Sequence, residues 1–337
     1  MIVERDIEAA VAALAGLWPR LDGAHIFMTG GTGFIGRWML EVLAQAPVRV
    51  DVTMLSRDPA RFATLAPHLA ERFALVQGDT TDFAFPEGRF THVIHGATDA
   101  SAALTATDPR RMFDTIVHGT RRALDCALAG GAGRFLLMSS GAVYGAQPSA
   151  LSHVGEDWTG GPEVRDPKSA YAEGKRAAET LCAIYGAQFG LDCVSARIFA
   201  LLGPMLSLDT HFAAGNFIRD AMAARRIRVS SSGQAVRSYL YAADLAVWLW
   251  TLLTEAAPGS AYNCGSEEAV SIAELAHLTA STLGGPGVDI LGAPDPGWNP
   301  GRYVPSTAAI ARDFGLRPTV PLDEAIRRTA QFNGWNP

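Results

Sequence analysis

Six short runs of apolar and β-branched residues punctuate the first two hundred positions, at 25–29, 50–55, 73–77, 92–96, 134–139 and 193–198. Between most of them lie stretches with helical periodicity, near 34–46, 59–70, 107–130 and 169–188. A strand that is apolar along its whole length is covered on both faces, and helices between such strands make them parallel. The alternation therefore specifies an α/β fold built on a doubly wound parallel sheet. Past about residue 200 the pattern loosens into Pro- and Gly-rich segments such as "GGPGVDILGAPDPGWNPGRYVPS", which read as a smaller C-terminal α+β lobe. The chain divides into an N-terminal helical extension at 1–23, a sheet domain at 24–200 and a mainly substrate-binding lobe at 201–337.

The first strand-to-helix junction is "TGGTGFIG", Thr29 to Gly36. Its glycines satisfy both GxGxxG and GxxGxxG. Gly30 and Gly31 can take backbone angles closed to other residues. Gly33 lets the main chain approach a pyrophosphate, and Gly36 permits close helix–strand packing. The free amides that open the helix, at Phe34 and Ile35, would meet the phosphates. Strand before, helix after and continuing alternation make this a Rossmann-type dinucleotide site. The second strand, "VDVTMLSRDPARF", ends in Ser56 and Arg57 where an acid would select NAD. A hydroxyl and a guanidinium suit the extra phosphate of NADP(H), with NAD(H) as the alternative. Asp58 can also be read as a helix cap ahead of Pro59, which leaves Arg57 in solvent. Asp51 comes too early to hold the ribose. "GDTTD" puts Asp79 near the adenine edge or in an ordinary turn.

"YAEGK" sets Tyr171 and Lys175 four apart, on one face of a helix. A tyrosine that exchanges protons near neutrality must fall by roughly 3 units, about 4 kcal/mol in favour of the phenolate. A lysine ammonium and an oxidised nicotinamide can supply that. The strand "RFLLMSS" ends in hydroxyls, and Ser140 can bond the same substrate oxygen as Tyr171, with Ser139 in a structural role.

Composition narrows the remaining classes. No run reaches about 18 apolar residues, so no membrane span is expected. The N-terminal segment carries acids from Glu4 and reads as an amphipathic helix rather than a signal peptide. Cys126, Cys182, Cys193 and Cys264 are scattered without a CxxC pair, which argues for a reducing cytoplasm and against a metal site. A net charge of −6 gives no reason to bind nucleic acid.

"TGGTGFIG", "GDTTD", "VIHGA", "MSSGAVYG", "YAEGK", "RIFALLGP" and "RSYLYAADLA" follow one another in this order. In that arrangement the chain resembles the extended short-chain dehydrogenase/reductases, and more narrowly the NAD-dependent epimerase/dehydratase family acting on nucleotide sugars, from about residue 24 to 330. The resemblance implies Tyr171 as catalytic acid/base, Lys175 as its partner and a cofactor ligand, and Ser140 as third member. It places Thr80 and Ala97 beside the dinucleotide, and Arg237 and Arg302 on the nucleotide diphosphate of a sugar substrate. It also implies a homodimer through the helices near 107–130 and 169–188.

The departures from the family pattern are specific. Water-eliminating members carry an Asp–Glu pair after the catalytic hydroxyl, and decarboxylating members keep the glutamate; here Gly141 and Ala142 stand instead. Neither can move a proton, which disfavours a 4,6-dehydratase. Ile116 and Ala200 replace two family asparagines, the second a diphosphate contact. Asn216 is a candidate substitute, or else a cap or surface residue. Thr98, Asp99 and Ser101 in "HGATDAS" face the sugar or form a polar loop, and Asp209 and His211 in "LSLDTHF" read as surface residues. The expected activity is reduction of a 4-keto nucleotide sugar. The alternatives are an NAD-dependent 4-epimerase, a reductase of a non-sugar carbonyl and a dinucleotide sensor without turnover.

Overall fold

The computed structural model describes residues 2–98, 106–209, 212–293 and 301–336. The chain opens with α1 (Ile2–Ala13), β1 (His25–Thr29), α2 (Phe34–Ala44), β2 (Asp51–Ser56), α3 (Pro59–Leu65), α4 (Pro67–Arg72), β3 (Ala74–Gln77) and β4 (His92–His95). Two long helices follow, α5 (Pro109–Ala129) before β5 (Arg134–Ser140) and α6 (Ala170–Phe189) before β6 (Asp192–Ile198). The rest is finer grained: β7 (Leu201–Leu202), α7 (Ala213–Met222), β8 (Ile227–Val229), β9 (Val236–Arg237), β10 (Leu240–Tyr241), α8 (Ala242–Glu255) and β11 (Ala261–Cys264). It closes with β12 (Val270–Ser271), α9 (Ile272–Leu283), β13 (Val288–Ile290), β14 (Arg302–Tyr303), α10 (Ala308–Phe314) and α11 (Leu322–Phe332).

Each of the six expected strands is present, displaced by one residue at most. The helix expected over 59–70 is two helices. Pro67 cannot donate to the preceding turn, so α3 stops and Pro67 opens α4. Ala66 between them leaves helical geometry at φ −143°, as a residue before proline favours.

Seven parallel strands form the main sheet in the order β11–β6–β5–β4–β1–β2–β3. The seventh, β11, comes from beyond residue 200 and pairs with β6, so the region read as the second lobe also completes the first. Side chains alternate along the strands. Ile26, Met28, Val52, Met54, Ile94 and Leu136 enter the core on the α2 and α8 side, while Phe27, Leu55, Val93, Phe135 and Leu137 enter the core beneath α5 and α6. The stripe "DLAVWLWTLL" is buried in α8, where Trp250 Nε1 donates to the Met39 carbonyl at 3.2 Å. Among the described residues, no helix is long and apolar enough to cross a membrane.

The strand order reverses between β1 and β4. Chains leaving these neighbours diverge, which opens a crevice at their C-terminal ends. Small sheets of the second lobe (β9 with β12 and β14, β7 with β10, β8 with β13) lie beyond it in sequence. The N-terminal segment is part of this body. Helix α1 packs on α2, α8 and α11, and its buried Asp6 accepts from the Tyr241 hydroxyl and from Arg328. Asp6→Ala would leave the buried Tyr241 hydroxyl without its acceptor and Arg328 with Glu324 alone. The expected cost is about 2 kcal/mol, read as a lower urea midpoint at unchanged slope.

Candidate active site

At the glycine loop the fit is steric. Gly30 sits at φ +80°, and a Cβ there would stand 2.5 Å from the Gly96 carbonyl carbon and 2.7 Å from the Ala97 amide nitrogen. A Cβ on Gly36 would lie 2.3 Å from the Gly30 carbonyl oxygen, and one on Gly31 would meet the Met54 sulfur at 3.0 Å. Gly33 is the N-cap of α2 and offers no side chain to its first-turn amides. The amides of Phe34 and Ile35 are thus open to an anion, as a dinucleotide pyrophosphate requires. Thr29 Oγ1 accepts from the Ala97 amide at 3.2 Å and lies 2.7 Å from His95 Nδ1, which ties β1 to β4 directly under the loop. Among the described residues, the buried Oγ1 atoms of Thr80 and Thr98 have no hydrogen-bond partner. Asp99, Ser101 and His211 lie outside the described residues.

The end of β2 carries Ser56 and Arg57 beside two locally engaged acids. Ser56 is buried, and its hydroxyl accepts from the Asp58 amide at 3.2 Å. Asp58 caps α3 by accepting from the Arg61 amide at 2.9 Å, with Pro59 in the first turn. Arg57 is exposed and helps hold the Asp79 carboxyl below its usual range, after the larger effect of the Thr81 hydrogen bonds. Asp79 itself closes a turn by accepting from the Thr81 amide and hydroxyl. Asp58 and Asp79 are engaged in local turns, while the Ser56 O–H remains able to donate and the Arg57 guanidinium lies beside Asp79.

Strand β5 delivers Ser140 to the crevice, and the first turn of α6 delivers Tyr171 opposite it. Ser140 Oγ accepts from the Ala142 amide at 3.2 Å and lies near enough to the Tyr171 phenol to act on it. Lys175, one turn on, is 3% exposed and donates to the Met138 carbonyl at 2.7 Å. Burial pushes its ammonium down to about 8, opposed by Glu179. Burial also pushes the Tyr171 phenol above its ordinary value, and the Ser140 hydroxyl offsets only part of that. The sequence led us to expect the ammonium to lower the phenol; in the fold it turns to a main-chain oxygen, because a buried cation takes the nearest strong acceptor. Ser139 has the structural role expected of it and donates to Glu179 at 2.5 Å.

Two aromatic residues at this site escaped sequence reading. The Tyr303 hydroxyl, from β14, lies 3.3 Å from Ser140 Oγ, and its ring packs on Phe199 with centroids 4.5 Å apart. Phe199 in turn fills the space beside Gly141, where a Cβ would stand 2.4 Å from its ring. A two-residue strand after a Pro/Gly-rich segment carries no periodicity, so only the "RY" pair could have flagged Tyr303. Arg237 is its register partner and donates to the Val236 and Gly301 carbonyls at 2.8 and 3.3 Å. Arg302 adjoins them, and among the described residues its buried Nη1 has no hydrogen-bond partner. Asn216 is not a cap: it sits inside α7 and accepts from Arg219 at 3.2 Å, and Arg219 also pairs with Asp220 and Asp209. Ile116 is buried against Gly174 in the α5–α6 contact.

The profile of the NAD dependent epimerase/dehydratase family matches residues 26–265, from β1 through β11. The chain belongs to this family. It is 30% identical to UDP-glucuronic acid decarboxylase 6 of Arabidopsis thaliana over 90% of its length and 86% of that protein's. It is 29% identical to UDP-glucuronic acid decarboxylase 1 of Xenopus tropicalis, over 92% and 72% respectively. A solved relative is the UDP-glucose 4-epimerase of Thermus thermophilus in complex with NAD, with TM-score 0.78, 26% identity and coverage of 92% and 99%. The glycine cradle and the Ser140–Tyr171–Lys175 grouping fall within the matched span. The family as a whole covers nucleotide-sugar epimerases, dehydratases and decarboxylases, so membership leaves the reaction open.

Lys175 gives a pH prediction with a definite sign. Its folded value of about 8 lies below the ordinary 10.5, so between those values the unfolded chain holds a proton that the folded chain releases. Its burial cost is therefore full below about pH 8 and disappears as pH rises towards 10.5. Lys175→Met is expected to stabilise the fold by roughly 1–3 kcal/mol at pH 7 while abolishing turnover. Paired denaturation curves at pH 7 and pH 10 check this, since the gain should shrink at the higher pH.

Proposed function

We propose that the protein is a nicotinamide-dependent oxidoreductase of nucleotide-activated sugars. It moves one hydride and one proton at a single sugar carbon, reducing a 4-keto group to an alcohol. The observation that carries this reading is the Phe199 ring against Gly141, backed by Tyr303. Elimination needs a second acid and base beside the catalytic hydroxyl. Here that space holds aromatic rings, and Ala142 follows with a methyl group.

The bound dinucleotide supplies the hydride chemistry. Ser140 and Tyr171 bond the substrate oxygen from two sides, and the Tyr171 hydroxyl gives its proton to that oxygen as the alcohol forms. The positive charge of an oxidised nicotinamide would help bring the phenol down towards neutrality. Lys175 Nζ is placed to leave the Met138 carbonyl for ribose hydroxyls. Arg237 and Arg302 would hold the diphosphate of the sugar nucleotide, and the unpaired Arg302 Nη1 supports that role.

A 4-epimerase uses the same residues and returns the hydride to the opposite face. The charge at the end of β2 favours it, because Arg57, the cation there, lies beside the Asp79 carboxylate. The Thermus thermophilus relative, a 4-epimerase with NAD, points the same way. Tyr171→Phe is expected to lower turnover by at least about 10²-fold while retaining dinucleotide binding. Mass spectrometry of dinucleotide released from the denatured wild-type protein separates the two readings: near-stoichiometric NAD supports the epimerase, and NADP(H) or little nucleotide supports the reductase.

We also propose a homodimer through α5 and α6. Phe113, Ile184 and Phe189 are exposed on these helices, an apolar outlay that a partner copy would cover. Light scattering is expected to return twice the chain mass of 35.7 kDa, and Ile184→Arg to shift it towards the monomer.

A further inference from the structure

Tyr171, Lys175 and Glu179 stand at four-residue intervals along one face of α6. Glu179 is held from two further elements. Ser139, at the end of β5, donates to its Oε1 at 2.5 Å, and Arg197 of β6 donates to both oxygens, most closely at 2.8 Å to Oε2. Arg197 is fixed in turn by the Tyr144 hydroxyl at 2.8 Å, and its guanidinium lies over the Tyr144 ring. Tyr144 passes the chain on to Asn263, which also donates to the Val154 and Ser306 carbonyls.

A buried ammonium needs a counter-charge. The groups around Lys175 are few. Met138 gives a neutral carbonyl from β5. His95, on β4, is held neutral by burial, which pushes it down to about 3. Tyr171 is a neutral phenol on the same helix, pushed up by its own burial. Glu179, one turn further along the same helix face, is the acid that favours the charged lysine, and Arg197 pairs with that carboxylate at 2.8 Å. The same carboxylate grips Ser139, whose neighbour Ser140 faces Tyr171.

We propose that Glu179 is a positioning residue for this site: clamped by Arg197, it keeps Lys175 charged and fixes the strand end that presents Ser140. The inference rests on the roles proposed above for Lys175 and Ser140. It assigns the Glu179–Arg197 pair a task beyond holding α6 to β6.

The composition makes the test unusually clean. The chain has only two lysines, Lys168 and Lys175. With ¹³Cε-lysine, an NMR titration of the protein with added NAD resolves Lys175 against exposed Lys168 as reference. In Glu179→Gln the Lys175 midpoint is expected to fall by about one unit or more, and in Glu179→Asp, which keeps the charge, to stay near the wild-type value. Should Glu179→Gln not fold, Glu179→Gln/Arg197→Gln is compared with Arg197→Gln alone, and the Lys175 midpoint is expected to be lower in the double variant, because only it lacks the carboxylate. An unmoved Lys175 midpoint in the folded neutral variant, even with a lower melting temperature, overturns the proposal and leaves a structural ion pair. Where a turnover assay is in hand, the alkaline limb of kcat/KM in Glu179→Gln should move acidward with the midpoint. The lysine titration needs no substrate. A wild-type protein that turns over no nucleotide sugar would therefore defeat the functional reading and leave the titration result standing.

Discussion

Everything at this site depends on main chain meeting main chain where β1 and β4 part. The Gly30 α-carbon has no room for a side chain because Gly96 and Ala97 occupy it, and Gly36 has none because the loop folds back on itself. The turn can then stay tight enough to aim the α2 amides outward. The Thr29 bridge to Ala97 and His95 locks the two strand ends in register. A parallel sheet places all its strand ends on one edge, so the same edge also receives Ser140 from β5 and the Arg197 support from β6.

The chemistry is set by what fills the space around Ser140. Proton transfer to one oxygen needs a hydroxyl pair and a nearby cation; elimination needs more acids and bases. Phe199 and Tyr303 use that volume for rings, and their packing leaves Gly141 as the residue that fits. The family includes decarboxylases and epimerases on one fold, and the difference between such reactions lies in a few side chains around a shared cradle.

The two lobes are less separable than their composition suggests. Strand β11 completes the sheet, α8 packs beneath it, and α1 is pinned by Tyr241 and Arg328. In the other direction Tyr303 reaches from β14 to Ser140, and Asn263 joins Tyr144 to the Ser306 carbonyl. Residues of β11 and β14 are thereby held against the main sheet.

Local pattern carried much of this in the sequence. Periodicity placed β1 to β6 to within a residue, since apolar runs and turn residues act over a few positions. Glycine spacing and the four-residue step from Tyr171 to Lys175 were equally local, as was the Asp58–Pro59 cap. Tertiary structure decided what no local signal could: that β11 pairs with β6 and that Lys175 turns to Met138. It also brought Tyr303 to Ser140 across 163 residues and Glu179 to Arg197 and Ser139. Such contacts arise when separate elements compete for one buried volume, and the winner depends on packing around it rather than on its own neighbours in the chain.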